Sequence, residues 1–189
     1  MDDLLFEKTV SSQTIYEGRI FNVKKDEVLL SNQNKAEREF IEHSGGVCIA
    51  ALDGDELYFV RQFRYPYKEV ILELPAGKLS KGEDPLECAK RELLEETGVV
   101  AKQYQYVGEM YPSPGYTDEI IHLYIAYDLQ QKEQNLDEDE FLEVVKIPLE
   151  KAIGMGMVGG IKDAKTQILL FKCASFYYGG ALGKKKYEK

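Results

Sequence analysis

Several features that mark whole classes of protein are missing from this sequence. Its 189 residues contain no tryptophan, only two histidines, and three widely spaced cysteines (Cys48, Cys88 and Cys173). An odd number of cysteines without paired spacing supports neither a disulfide framework nor a zinc site. No apolar run approaches the ~20 residues that cross a bilayer, and the first three residues are not basic like the start of a signal peptide. We therefore expect a cytoplasmic protein with no membrane partner.

An excess of positive charge is also missing. The formal net charge is −9, and the only basic run, Lys184–Lys186, is short. Proteins that bind a phosphate backbone carry a basic stripe, so nucleic acid is not an expected partner. The length fits one domain with a small appendage, and 44% hydrophobic residues are enough for a sizeable core.

The N-terminal third predicts a small antiparallel β unit. Residues 14–30 are typical of strands broken near Gly18 and at Lys24-Lys25, and residues 37–43 predict another strand. The glycines of Ser44–Gly46 predict a boundary. A unit of residues 1–44 is too small to hold its own core, so we expect it to pack on the main domain or on a second subunit.

The rest of the chain predicts a mixed α/β domain over 45–180, followed by a flexible tail at 181–189. The expected strands are 47–52, 57–63, 104–111, 120–129 and 141–147, and helices are expected from about 148 and over 162–178. Asp53-Gly54 is a strong hairpin signal between the first two strands.

One further helix is marked by local signals at both ends. Asp84 is a good N-cap, Pro85 suits the first helical position, and Gly98 suits a left-handed C-cap. At ~100° per residue, Leu86, Ala89, Leu93 and Thr97 form a buried stripe. This places an amphipathic helix between Asp84 and Gly98.

That helix carries three carboxylates, Glu92, Glu95 and Glu96, at spacings of three and four. Side chains at these spacings share a face, and like charges that close repel one another. Alone, such a group is typical of a solvated helix face held by surface salt bridges. The other interpretation is a site for a hard divalent cation, which takes oxygen ligands.

The surrounding spacing decides between these interpretations. From Gly77 to Val99 the chain reads Gly, five residues, Glu83, seven residues, Arg91-Glu92, and then Leu-Leu-Glu-Glu-Thr-Gly-Val. All seven fixed residues of the Nudix box are present, so the chain resembles the Nudix hydrolase family. The resemblance implies an α/β/α sandwich with a mixed central sheet. It also implies Mg²⁺- or Mn²⁺-dependent hydrolysis of a nucleoside diphosphate linked to a further group.

The resemblance also implies roles for residues of the box. Glu92, Glu96 and the backbone carbonyl of Ala76 would hold the metal, and Glu95 would join them or act as base. Arg91 would orient the glutamates by ion pairing. Gly77 would let the backbone approach the metal, while Glu83 is at least partly structural, closing the loop before the helix.

The choice of substrate depends on residues outside the box. Pro114 lies sixteen residues after Gly98, and this resembles the ADP-ribose pyrophosphatase subfamily, whose N-terminal β unit exchanges across a homodimer. The resemblance implies the reaction ADP-ribose + H₂O → AMP + ribose 5-phosphate. A different nucleoside diphosphate sugar such as GDP-mannose, a dinucleotide, or a non-catalytic ligand sensor of the same fold are the alternatives.

Candidate substrate residues follow from the same resemblance. Arg38 and Arg64 match positions that contact substrate, and a guanidinium suits a diphosphate. Ile20, Phe21 and Tyr16 are candidates to clamp the adenine, and Glu119 contacts substrate or closes its own turn. Glu138 or Glu140, on the acidic stretch Asp137–Glu140, would be a further catalytic residue on a mobile loop. His43 and His122 have no partners by spacing, and we expect them to be structural.

Overall fold

The computed structural model describes residues 4–136 and 141–179. The predictions for Glu138, Glu140 and the tail at 181–189 therefore lie outside the described residues. The chain divides into two compact units. One combines the N-terminal residues through Gly45 with Tyr111–Ile120, and the other holds Gly46–Met110 and the residues from Ile121 onward. No helix within the described ranges is long and apolar enough to cross a membrane.

The first unit is built on an antiparallel sheet of β1 (Lys8–Glu17), β2 (Phe21–Leu29) and β3 (Lys35–His43) in that order. The break expected near Gly18 is confirmed. The break expected at Lys24-Lys25 is wrong, because β2 runs through both lysines. Lys24 Nζ donates to Thr14 Oγ1 at 3.0 Å and Lys25 pairs with Glu37 at 2.9 Å. The neighbouring strands thus accommodate both charges.

The segment Tyr111–Ile120, which contains the Pro114 turn, belongs to this first unit. Its backbone pairs with the end of β3: Ile41 N–H donates to the Tyr116 carbonyl at 2.8 Å, and Asp118 N–H donates to the Ile41 carbonyl at 3.1 Å. The Asp118 carboxylate also accepts from the backbone N–H of His43 at 2.8 Å. Residues about 75 positions apart therefore form one surface.

The second unit holds the mixed sheet that the sequence predicts. Its strands are β4 (Gly46–Asp53), β5 (Glu56–Arg64), β6 (Glu69–Glu73), β7 (Ala76–Lys78), β8 (Val99–Met110), β9 (Ile121–Gln131) and β10 (Leu142–Pro148), and its helices are α1 (Pro85–Thr97), α2 (Leu149–Met157) and α3 (Ala164–Tyr178). The order is β10-β5-β4-β9-β8, with β6 on β5 and β7 on β4. The pairing of β4 with β9 is parallel and the other pairings are antiparallel. Strand patterns did not predict β6 or β7, which are five and three residues long.

Strand β4 shows why this sheet is covered on both faces. Its alternate residues Cys48, Ala50 and Leu52 pack in one buried cluster with residues of α2 and α3. The intervening Val47, Ile49 and Ala51 pack in a second cluster with residues of α1. Successive side chains of a strand point to opposite faces. The expected α/β/α sandwich is therefore confirmed, with α1 in one layer and α2 and α3 in the other.

Candidate active site

Helix α1 begins and ends where its local signals predict. The Asp84 carboxylate accepts from the N–H groups of Leu86 at 2.9 Å and Glu87 at 3.2 Å. At the other end Gly98 adopts a left-handed conformation with φ of 66°, and its N–H donates to the Leu94 carbonyl. These caps satisfy backbone groups that a helix leaves unpaired. They fix where the helix begins and ends, and its buried side chains pack against β4.

Two of the three predicted glutamates are buried. Glu92 is 9% exposed and Glu96 is 3% exposed, whereas Glu95 is half-buried. Glu96 Oε2 accepts a hydrogen bond from the backbone N–H of Ala76 at 3.0 Å. A carboxylate loses much solvation when buried, so it needs compensating partners. This burial is unlike a solvated helix face.

Arg91 supplies much of the compensation. Its Nε donates to Glu83 at 2.9 Å, and its Nη1 lies 2.7 Å from Glu92 Oε1 and 2.9 Å from Glu95 Oε2. Glu83 also accepts from the backbone N–H of Ser80 at 2.8 Å. The hydrogen bond from Arg91 lowers the pKa of Glu83 to about 2, and the same bond raises the pKa of Arg91. One guanidinium thus joins the loop before α1 to two of its glutamates.

Gly77 brings the backbone against the Glu92 carboxylate. A Cβ at this position would lie 1.8 Å from Glu92 Cδ, so no residue with a side chain fits without moving Glu92. The Glu92 and Glu96 carboxylates and the Ala76 carbonyl are hard oxygen donors of the kind that Mg²⁺ prefers. Within the described ranges, no three His, Cys, Asp or Glu side chains form a metal site by themselves.

Arg64 lies at a second buried acid, Glu73, which the sequence analysis missed. Glu73 is 1% exposed and accepts from Arg64 Nε at 2.6 Å and from Nη2 at 2.8 Å. Lys165 also donates to Glu73, and it pairs with Asp163 at 2.9 Å. Burial raises the pKa of Glu73, but the hydrogen bond from Arg64 and the charge of Lys165 outweigh it and the pKa is lowered. The sequence signal for Glu73 is only an acid within the apolar run 70–74.

The first unit contains a cavity of about 330 Å³ that collects three predicted substrate residues, Ile20, Phe21 and Glu119. His43, expected to be structural, lines the same cavity, and its Nδ1 lies 3.5 Å from Glu119 Oε1. That Nδ1 also accepts from the Gly45 N–H at 3.0 Å. The remaining lining residues are Ile41, Pro112, Ser113, Tyr116 and Thr117. The lining thus mixes apolar side chains with groups that can form hydrogen bonds, a combination that can hold and orient a small molecule.

Two other candidates of the first unit are not among the lining residues. Arg38 is exposed on β3, and its Nε donates to Glu7 at 2.8 Å. The Tyr16 ring lies beside the Phe21 ring, with centroids 6.3 Å apart. In the second unit, His122 lies beside the Tyr106 ring at 6.2 Å. Arg38 and Tyr16 therefore lie in the first unit but outside the cavity lining, and His122 lies in the second unit.

Comparisons with known proteins agree with this arrangement. A family model described as the NUDIX domain matches residues 42–169. A second, described as the nucleoside diphosphate sugar hydrolase N-terminal domain, matches residues 7–41. A solved structure described as an ADP compounds hydrolase superposes with a TM-score of 0.81 at 24% identity, over 92% of this chain and 95% of that chain. At that identity the likeness concerns the fold.

Similar sequences carry several names. The ADP-ribose pyrophosphatase of Bacillus subtilis is 41% identical over 86% of this chain and 89% of its own length. The methanol dehydrogenase activator of Bacillus methanolicus is also 41% identical, over 89% of this chain and 92% of its own length. The GDP-mannose pyrophosphatase of Yersinia enterocolitica is 38% identical over 70% of this chain and 75% of its own length.

Proposed function

The chain belongs to the Nudix hydrolase family, and on that premise we propose that it hydrolyses ADP-ribose to AMP and ribose 5-phosphate. The oxygen of a water molecule forms a new bond to one phosphorus of the diphosphate. The bridging bond from that phosphorus breaks, and the bridging oxygen leaves with the other phosphate. The observation that carries this proposal is the pair of buried glutamates on α1, because two buried carboxylates on one helix suit a site for a cation.

The choice of ADP-ribose is supported by similarity and by the first unit. The Bacillus subtilis relative named for this substrate matches most of the chain. The cavity near Phe21 has a size and a mixed apolar and polar lining that suit the nucleoside part of a substrate. We propose Ile20, Phe21 and Glu119 for that part of the substrate. Arg38 and Arg64 are proposed for the diphosphate, since a guanidinium donates to two phosphate oxygens at once.

Nudix hydrolases generally use a divalent metal, and Mg²⁺ is the ion we propose here, with Mn²⁺ able to replace it. Glu92, Glu96 and the Ala76 carbonyl would hold it, since all three present hard oxygen donors. When bound there, the cation would supply charge neutralisation at the phosphoryl oxygens and orientation of the attacking water. Arg91 keeps the glutamates in place through its ion pairs with Glu92 and Glu95.

The group that takes the proton from the attacking water is a separate question. Glu95 is one candidate, because it is half-buried at the margin of the buried pair. Glu138 and Glu140, which lie outside the described residues, are the other candidates. Replacing each of the three glutamates by glutamine identifies the catalytic base. The variant that lacks the base should have a lower kcat and a nearly unchanged KM.

A substrate panel tests the proposed reaction. The purified chain is incubated with Mg²⁺ and ADP-ribose, ADP-glucose, GDP-mannose, NAD⁺ or GTP, and products are identified by chromatography. We expect ADP-ribose to give the highest kcat/KM, with AMP as the nucleotide product. A clear preference for GDP-mannose, the dinucleotide or the triphosphate would overturn this choice of substrate. No hydrolysis of any compound would instead favour a ligand sensor.

A second candidate is hydrolysis of GDP-mannose, which the Yersinia enterocolitica relative favours. ADP-ribose and GDP-mannose contain the same diphosphate, so the metal site does not distinguish them. Their nucleobases differ, because guanine carries an exocyclic amine and a carbonyl where adenine carries one amine. The ratio of kcat/KM values for ADP-mannose and GDP-mannose isolates that difference, since the sugar is then identical.

We further propose that the protein is a cytoplasmic homodimer. The N-terminal β unit, residues 1–44, contributes to the dimer interface, and residues 45–180 form the hydrolase domain. All ten residues of β1 are exposed, and Val10, Ile15 and Tyr16 among them are large and apolar. Exposed apolar surface on an edge strand is a site of association. No nucleic-acid or membrane partner is proposed.

A further inference from the structure

The first turn of α3 contacts the end of β6, the strand that lies shortly before the Nudix box in the chain. Asp163 caps the helix by accepting from Thr166 N–H at 2.9 Å, and it pairs with Lys165 at 2.9 Å. Thr166 is fully buried, and its Oγ1 accepts from the backbone N–H of Leu74 at 2.8 Å. Two successive residues of α3 therefore contact two successive residues, Glu73 and Leu74, 92 positions earlier in the chain.

Glu73 is shared between a cation from α3 and a cation from β5. Its carboxylate accepts two hydrogen bonds from Arg64, and Lys165 donates to the same Oε2 that Arg64 Nη2 contacts. Because Glu73 is 1% exposed, its charge has almost no contact with water. If one cation is removed, the other must compensate the buried charge alone.

The same segment leads directly to the proposed metal ligand. Beyond Leu74, the Pro75 carbonyl accepts from Ile49 N–H at 2.8 Å, and Ala76 N–H donates to Glu96 at 3.0 Å. Each of the four residues from Glu73 to Ala76 is therefore held by a specific partner. The location of the Ala76 carbonyl depends in part on the first turn of α3.

Arg64 has donor capacity beyond Glu73. Its Nε and Nη2 are engaged there, while Nη1 makes no hydrogen bond to any residue in the described ranges. A guanidinium has five N–H donors in a fixed fork, so fixing one edge of it fixes the direction of the remaining donors. An arginine held in this way is oriented before an anionic ligand arrives.

We propose that Lys165 is a positioning residue of the hydrolase, which holds Glu73 and through it orients Arg64 toward the diphosphate of the substrate. The inference rests on the proposed function in one respect, namely that Arg64 binds phosphate. Without Lys165, Arg64 alone compensates the buried negative charge of Glu73. The arginine then attracts the anionic diphosphate of the substrate less strongly. Substrate binding therefore weakens more than the chemical step.

The test compares Lys165→Met with two matched variants. Lys162→Met is the control, because Lys162 also pairs with an acid 93 residues away, Glu69, but on the exposed surface. Lys165→Arg restores a cation and is the rescue. We expect Lys165→Met to lower kcat/KM by about 10- to 100-fold, mainly through KM. Lys162→Met should be indistinguishable from the parent protein, and Lys165→Arg should recover most of the loss.

A double-mutant cycle separates positioning from a merely structural role. If Lys165 acts through Arg64, then Lys165→Met in an Arg64→Ala background should change kcat/KM by less than about threefold. An equal loss in both backgrounds would overturn the proposal, and so would a loss confined to kcat. If Lys165→Met does not fold, as judged by circular dichroism, the same cycle is run with Lys165→Gln, which can still donate to Glu73.

The choice of assay substrate keeps this proposal distinct from the proposed function. Kinetics are measured with ADP-ribose and, in parallel, with whichever compound of the substrate panel the parent protein hydrolyses fastest. A parent protein that prefers another nucleoside diphosphate sugar would overturn the choice of ADP-ribose. The cycle on that other compound would still decide the role of Lys165, because every such substrate carries a diphosphate.

Discussion

At the scale of single residues, the candidate site contains several buried acids and few cations to compensate their charge. Glu92 and Glu96 lie almost out of contact with water, and Arg91 donates to Glu92 and to Glu95 through one nitrogen. Burying a carboxylate costs several kcal/mol unless partners compensate its charge. Burial of this kind does not favour folding by itself, and the proposed cation would supply a ligand of opposite charge.

Glu96→Gln tests that explanation. The amide keeps an oxygen that can accept from Ala76 N–H, so we expect the fold to remain, while the loss of a charged ligand should lower kcat at least about 100-fold. Activity with Mg²⁺ and circular dichroism are measured on the same sample. Glu87→Gln is the matched control, because Glu87 lies on α1 but is exposed and pairs with the exposed Lys90. Full activity in Glu96→Gln would rule out Glu96 as a metal ligand.

Glu83 gives a prediction about pH. Because Arg91 lowers its pKa to about 2 in the folded protein from 4.5 ordinarily, Glu83 is ionised more readily when folded than when unfolded. Its stabilising contribution is therefore fully present above pH ~4.5 and is lost as the pH falls toward 2. Glu83→Gln should lower the free energy of unfolding by about 1 to 2 kcal/mol at pH 7.

The difference between Glu83→Gln and the parent protein should narrow as the pH falls from 4.5 toward 2. Urea unfolding at pH 7, 4 and 3 measures it, with Glu87→Gln as the control for a general charge effect. A difference that stays constant down to pH 3 would mean that the ion pair with Arg91 does not stabilise the protein.

At the scale of secondary structure, β7 and α1 approach so closely that only glycine fits at position 77. Gly77 is not in the left-handed region, so an alanine could adopt its backbone conformation, but the new Cβ would meet the Glu92 carboxylate. Because a glutamate side chain can rotate away, we expect Gly77→Ala to cost less than about 2 kcal/mol of stability. The displaced Glu92 should nevertheless lower kcat/KM at least about tenfold.

The matched control for Gly77→Ala is Gly156→Ala in α2. A Cβ there would have no neighbour within 4 Å, and alanine in a helix is favoured over glycine by about 1 kcal/mol. Thermal unfolding and kinetics are measured for both variants. Equal activity of Gly77→Ala and the parent protein would show that the position of Glu92 is unimportant for the reaction.

At the scale of the whole molecule, the N-terminal sheet predicts self-association. We expect sedimentation equilibrium to give the mass of two chains, because β1 leaves Val10 and Ile15 about half exposed on an edge strand. Ile15→Glu places a charge in that surface and should shift the protein toward the monomer. Val158→Glu, at an apolar residue 84% exposed in the other unit, is the control. A monomeric parent protein would contradict the proposed homodimer.

The sequence by itself determined the family, the fold class and helix α1 with its ends. These depend on residues close together along the chain. The Asp84 and Gly98 caps act within a few residues, and a helix converts spacings of three and four into a shared face. Short-range chemistry of this kind can be predicted from a window of about twenty residues.

Only the tertiary structure decided which distant residues meet. Residues of the Pro114 turn pair with β3 about 75 positions earlier, and Lys165 reaches Glu73 across 92 positions. Strand β7 was missed because three residues carry little pattern, and β6 because its short apolar run does not reveal that it pairs with β5. The physical reason is that such contacts are selected by packing and by buried charge, which depend on the folded surroundings of each residue.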